Sequence, residues 1–218
     1  MSGRAVARVG AAWGTIGAVV LVAVGLQDAG PELRFEPLDA VALAVTAVGP
    51  YALSILAFSA GPAVRAGVWL GCGLAGTLMA WTALSVSTLV LLPAGILLLV
   101  GGAMAMADAR PMWPAVSMAV IVLVTAGGAF LARFAGDDPR CWRLTRTPNG
   151  PVWVEDAVDP GPGMGQTLGN RDLRGECTSD VTTPSEAAMV LGLWAALGLV
   201  VAVGGRGRRD QMPAEAAA

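Results

Sequence analysis

Three cysteines, seven tryptophans and a scatter of serines and threonines are the residues of this 218-residue chain that could do chemistry, and histidine is absent. Without an imidazole no Ser-His triad can form, and the commonest general base and metal ligand are missing. All 14 basic residues are arginine, so a Ser-Lys dyad is excluded too. No C-x-x-C pair is present for thiol exchange. Gly161, Gly163, Gly165 and Gly169 are spaced like a loose phosphate loop, but they lack the lysine and helix that should follow, and they read as a glycine-rich linker. Met104, Met106 and Met112, with Cys72, offer soft ligands of the kind that hold Cu(I). Methionine in an apolar helix is more often packing, and Cys72 reads as a small buried apolar residue. No catalytic residue, metal or cofactor is expected, and the chain reads as a non-enzyme.

The elements that must position these residues are apolar. Hydrophobic residues make up 55% of the chain, charged ones 14%, and mean hydropathy is +0.65. A soluble domain carries about a quarter charged residues, so this composition implies a membrane protein. A net charge of −2 leaves no electrostatic footprint for nucleic acid. The all-arginine bias, with abundant Ala, Gly and Val, reads as GC-rich coding and hence a bacterial plasma membrane.

A transmembrane helix takes about 20 mainly apolar residues. Six spans are expected, near 9–26, 40–60, 66–87, 91–107, 115–132 and 186–204. The first opens like a signal peptide, with Arg4 and Arg8 ahead of an apolar run. That run is too long and lacks a small-x-small cleavage site, so it is read as a retained helix. Gly49-Pro50 interrupts the second span. Residues 66–107 hold no charge and would make a single helix of roughly 60 Å, twice a bilayer core, so a turn is expected near Ser87–Pro93. The chain then divides into a five-helix region (1–134), an extracytoplasmic loop (135–185), a sixth helix (186–204) and a disordered cytoplasmic tail (205–218).

Cytoplasmic loops are enriched in arginine. With both termini inside, Arg4, Arg8, Arg65, Arg110, Arg206, Arg208 and Arg209 are cytoplasmic, against Arg34 in the short outer connectors. Trp13, Trp69 and Trp113 then fall at cytoplasmic helix ends as an interfacial belt.

On this topology Cys141 and Cys177 face an oxidising compartment, and a disulfide between them is expected. Thr147-Pro148-Asn149-Gly150 is a turn sequence between strand-like segments, which predicts a β-hairpin. The fold class is therefore an all-α integral membrane protein of six helices, with a small disulfide-stapled outer loop containing that hairpin. Trp142 and Trp153 on the hairpin form an interaction patch or, equally, pack locally to hold the loop shut.

Inside the spans, Thr46 and Ser54 flank the Gly49-Pro50 break and Thr77 and Thr82 lie in the third helix, a set that could line a polar cavity or bond between helices. Gly10-x-x-x-Gly14 and Gly67-x-x-x-Gly71 are close-packing motifs. The reading favoured by these residues is an accessory or structural subunit. Its surroundings are the lipid bilayer and another membrane or envelope protein, or a second copy of itself. A facilitator for a neutral solute comes second. A lipid-modifying enzyme comes last, because Asp108 with Arg110, or Glu155, Asp156 and Asp159, have no partner base.

Overall fold

The computed structural model describes residues 2–27, 37–83, 86–109, 111–133, 140–148, 150–156, 175–178 and 183–206. In chain order these form α1 (Gly3–Gln27), α2 (Pro37–Leu56) with a 3-10 turn (Ala57–Ser59), α3 (Pro62–Ala83), α4 (Val86–Asp108) and α5 (Trp113–Arg133). They continue with strands β1 (Arg140–Thr147), β2 (Gly150–Asp156) and β3 (Gly175–Thr178), and end in α6 (Pro184–Arg206). Among the described residues all six helices are long and apolar enough to cross a membrane. The chain is a multi-pass membrane protein in this sense, and the tail beyond 206 lies outside the described residues.

Neighbouring helices run in the order α1-α4-α3-α5-α6-α2, closing back on α1, and α2 also touches α3 and α5 across the middle. α3 is the central element, with 61% of its span buried against 28–39% for the others. In lipid there is little hydrophobic drive between helices, so close backbone approach has to supply the cohesion. The chain meets that demand with small residues. The buried stripe of α1 is Ala7, Gly10, Ala11, Gly14, Gly17 and Ala18. Gly3 and Gly10 abut Met104 and Leu97, so α1 and α4 run antiparallel. Gly67 and Gly71 abut Ala115 and Val122, so α3 and α5 run parallel. Both glycine motifs are therefore spent on packing within one chain. The opposite surface is apolar, with Ile16, Leu89, Val124, Leu131 and Leu199 exposed, as a hydrocarbon surround requires.

Two helix boundaries differ from expectation. α3 ends at Ala83 and α4 begins at Val86, ahead of the turn expected near Ser87–Pro93, and Pro93 lies two turns inside α4. Pro93 removes the donor to the Leu89 carbonyl. In the same turn the Val90 carbonyl accepts Trp13 Nε1 at 2.9 Å, and the Leu91 carbonyl accepts the Tyr51 hydroxyl at 3.4 Å. Donors from α1 and α2 thus meet α4 where proline loosens its ladder, as membrane helices permit. The helix α1 also begins at Gly3 instead of residue 9, which moves Trp13 from the helix end toward mid-span.

The start of α6 was legible and passed over. Thr183-Pro184-Ser185-Glu186 is a capping box with proline at the first helical position. The Thr183 amide donates to Glu186 Oε2 at 2.7 Å, and the Glu186 amide donates to Thr183 Oγ1 at 3.3 Å. Thr183→Ala is expected to cost about 1 kcal/mol, read as a lowered thermal midpoint of the detergent-solubilised chain. Glu186→Gln, which keeps an acceptor, should stay near wild type. An unchanged midpoint for Thr183→Ala would show that the cap contributes nothing.

Between α5 and α6 the three strands form one antiparallel sheet in the order β2-β1-β3, which leaves β2 at an edge. Strand β3 has no counterpart in the sequence reading. β1 pairs with β2 from Cys141↔Asp156 to Thr147↔Gly150, and Gly150 has φ +115°, a backbone region that suits glycine. β1 pairs with β3 through Arg140↔Thr178, Cys141↔Cys177, Trp142↔Glu176 and Arg143↔Gly175.

Candidate functional site

The interior of the bundle is organised around two aromatic side chains that pass between helices. Tyr51 leaves α2 just after Pro50 and is buried. A side chain at Gly14 of α1 would enter its ring, and one at Gly76 of α3 would reach its hydroxyl at 2.8 Å. Trp69 of α3 is buried completely, so it does not belong to the interfacial belt in which the sequence reading placed it, whereas Trp13 and Trp113 are exposed. The reason is its position on the face of α3 that meets the end of α2. A helix leaves its last carbonyls without intrahelical donors. Trp69 Nε1 donates to the Ser54 carbonyl at 3.1 Å, and Ser59 Oγ donates to the Leu56 carbonyl at 2.8 Å.

The four residues assigned to a polar cavity take separate places. Ser54 is fully buried, donates its hydroxyl to the Pro50 carbonyl at 2.8 Å, and stands beside the buried free thiol of Cys72. Thr46, two turns earlier on α2, is buried with Oγ1 unpartnered. Its carbonyl also loses its intrahelical donor, because residue 50 is proline. Thr77 sits against α4, where a Cβ added at Gly95 would stand 2.5 Å from its unpartnered Oγ1. The side chain of Thr82 lies outside the described residues.

The helix α2 runs unbroken through Gly49-Pro50, and there the Trp194 indole of α6 covers Gly49, where an added Cβ would meet the ring at 2.9 Å, and its Nε1 is buried without a partner. A cavity of about 240 Å³ opens between Ala75, Leu78 and Met79 of α3 and Leu123, Phe130 and Leu131 of α5. It contains none of Thr46, Ser54 or Thr77, and its wall is apolar.

The loop residues are placed by backbone register. Trp142 lies opposite Glu155, and Trp153 opposite Leu144, so both tryptophan positions fall on one face of the sheet by the two-residue alternation. Cys141 and Cys177 occupy the other face, directly opposed. The side chains of these four residues lie outside the described set. Val152 and Val154, on edge strand β2, are 45% and 49% exposed.

The acidic positions considered for lipid chemistry do not gather. Glu155 and Asp156 alternate between the two faces of the sheet, and Asp108 is exposed at the end of α4, while Arg110 and Asp159 lie outside the described residues. Among the described residues no group of three His, Cys, Asp or Glu could hold a metal. Cys72 is in the core while Met104 and Met112 are exposed, so the soft ligands do not meet.

The side chains that do converge are Arg4, Arg8 and Arg65, which the sequence reading used only to set topology. Arg8 lies over Phe58 and Arg65 over Trp69. The signal available in the sequence was the Arg65–Trp69 spacing of four, which puts both on one helix face. No protein-family model, characterised protein or solved structure matches the chain.

Proposed function

We propose that the chain is a non-enzymatic accessory or structural subunit of a bacterial plasma membrane, with both termini cytoplasmic. On this reading it meets a second membrane or envelope protein through the sheet between α5 and α6, which a Cys141–Cys177 disulfide holds. The observation that carries the reading is the composition of that sheet. Among the described residues its edge strand β2 pairs on one side only, Val152 and Val154 are exposed on it, and the Trp142 and Trp153 positions share the other face. An unpaired edge with apolar side chains is a template for a partner.

The disulfide is supported by register. Directly opposed residues of antiparallel strands have Cα atoms about 4.5–5.5 Å apart, inside the roughly 4.4–6.8 Å that a disulfide spans. The orientation is supported by the arginine count of the connectors.

The test is gentle detergent extraction of the tagged chain from its native membrane, followed by sizing and mass spectrometry. A stoichiometric partner is expected, lost in the Trp142→Ala/Trp153→Ala variant. Recovery of the chain alone, or only with copies of itself, removes the reading's support. In intact cells Cys141 and Cys177 should resist alkylation until reductant is added, and free labelling of either would remove the staple.

A facilitator for a neutral solute is the second reading. It draws on the unpartnered Thr46 Oγ1 and Trp194 Nε1 near Pro50 of α2, and solute flux in proteoliposomes that falls in Thr46→Val would favour it.

A further inference from the structure

We propose that Arg4, Arg8 and Arg65 form a binding site for a phosphate group, where the start of α1, the 3-10 turn after α2 and the start of α3 come together. Four side chains build it as a stack. The Arg8 guanidinium lies 5.5 Å from the Phe58 ring centroid, Phe58 and Trp69 meet at 4.8 Å with their planes 54° apart, and the Arg65 guanidinium lies 5.7 Å from the Trp69 ring. Arg4, one turn before Arg8 on the same face of α1, is near enough for its charge to oppose that of Arg65. Arg65 is only 9% exposed, and its Nε is buried with no hydrogen-bond partner.

Arg4 thus adds a second positive charge near the buried Arg65 guanidinium, and Arg8 is joined to it through the Phe58–Trp69 pair. Among the described residues no carboxylate pairs with any of them, and Asp108, the acidic group at the same end of the bundle, is exposed and unpaired with them. Aromatic faces attract a cation but accept no N–H hydrogen bond in the plane of the guanidinium. A buried charge without a counter-ion is unfavourable, and a like charge nearby adds to the deficit. What completes the arrangement is an anion with several acceptor oxygens. Arginine forks match phosphate geometry, and basic pockets between helix ends are where anionic lipid headgroups bind. Arg4 and Arg8 are exposed and form the open side of the site. An anionic phospholipid headgroup and a free phosphate share this chemistry, and the experiment separates them.

The full-length chain in mild detergent is titrated with phosphatidylglycerol and, separately, with phosphatidylcholine of the same acyl chains, and lipid retention is read by native mass spectrometry. In parallel its thermal midpoint is compared in sodium phosphate and in sodium chloride at equal ionic strength. Arg65→Gln and the double variant Arg4→Gln/Arg8→Gln go through both measurements. The second pair alters exposed positions only, so it decides the matter if Arg65→Gln does not fold. Phosphatidylglycerol is expected to be retained over phosphatidylcholine, with retention falling at least about tenfold in the variants, or about 1.4 kcal/mol. Protection of the wild type by phosphate, lost in the variants without any lipid preference, assigns the site to free phosphate. Equal retention of the two lipids together with no phosphate protection overturns the proposal, as do variants that behave like wild type. The site lies at the end of the bundle opposite the α5–α6 connection, so its failure and that of the partner reading are separate outcomes.

Discussion

Replacing Gly14 by leucine is expected to abolish recovery of monodisperse protein, and Gly14→Ala to lower its stability by about 1–3 kcal/mol, the usual cost of overpacking. The cause is a single obstruction. A Cβ at position 14 would enter the Tyr51 ring, approaching Cγ at 2.7 Å and two further ring carbons more closely. The ring cannot turn aside, because Gly76 closes against its hydroxyl and the Leu91 carbonyl accepts from it at 3.4 Å. Four helices meet at this side chain, so the strain would spread to the α1–α4 contact, where a side chain at Gly10 would also run into Leu97.

Tyr51→Ala alone should cost about 3–5 kcal/mol by leaving a cavity, as aromatic truncations in cores do. The double variant Gly14→Ala/Tyr51→Ala should then be less damaged than the sum of its parts, with a coupling of about 0.5–3 kcal/mol. Unfolding of the purified chain in a fixed detergent measures all three. Strict additivity would mean that Gly14 and Tyr51 do not meet.

Trp69→Ala should lower stability by about 3–5 kcal/mol, against about 1–3 kcal/mol for Trp69→Phe. The alanine loses a buried indole that contacts Phe58 at 4.8 Å and lies beneath Arg65, as well as the 3.1 Å hydrogen bond to the Ser54 carbonyl. Phenylalanine keeps an aromatic face for Arg65 and loses the donor, which leaves one carbonyl near the end of α2 unpaired. Ser54→Ala is the control. It removes the hydroxyl bonded to Pro50 but not the carbonyl that Trp69 uses, so it should be milder than Trp69→Phe. If phenylalanine proved as damaging as alanine, the indole N–H and not the ring would be holding the α2–α3 junction.

The number of helices was readable from the chain because a bilayer imposes its own length on apolar runs. The glycine rows at Gly10, Gly14, Gly67 and Gly71 were readable as close-packing faces for the same kind of reason, since lipid leaves small residues as the route to helix contact. The Thr183–Glu186 cap is also a local signal, and was there to be read.

What the bundle decided is which faces meet. Hydropathy cannot distinguish an exposed tryptophan from one sealed under an arginine, because both are apolar residues near a helix end; Trp69 is sealed and Trp113 exposed. Nor does a pair of prolines announce its difference in the sequence. Pro50 and Pro93 both lie inside helices, and donors from other helices reach the carbonyls beside Pro93.

The polar residues of α2 and α3 looked like one set by composition. They separate because a helix turns its residues through about 100° per step, which sends Ser54 toward Cys72 and Thr77 toward Gly95. The arginines show the converse. Arg4 and Arg8 stand far from Arg65 in the chain and were counted as topology marks. α1 and α3 both pack antiparallel to α4 and so run parallel, which brings their starts to one end of the bundle, where burial of Arg65 turns a count of charges into a site.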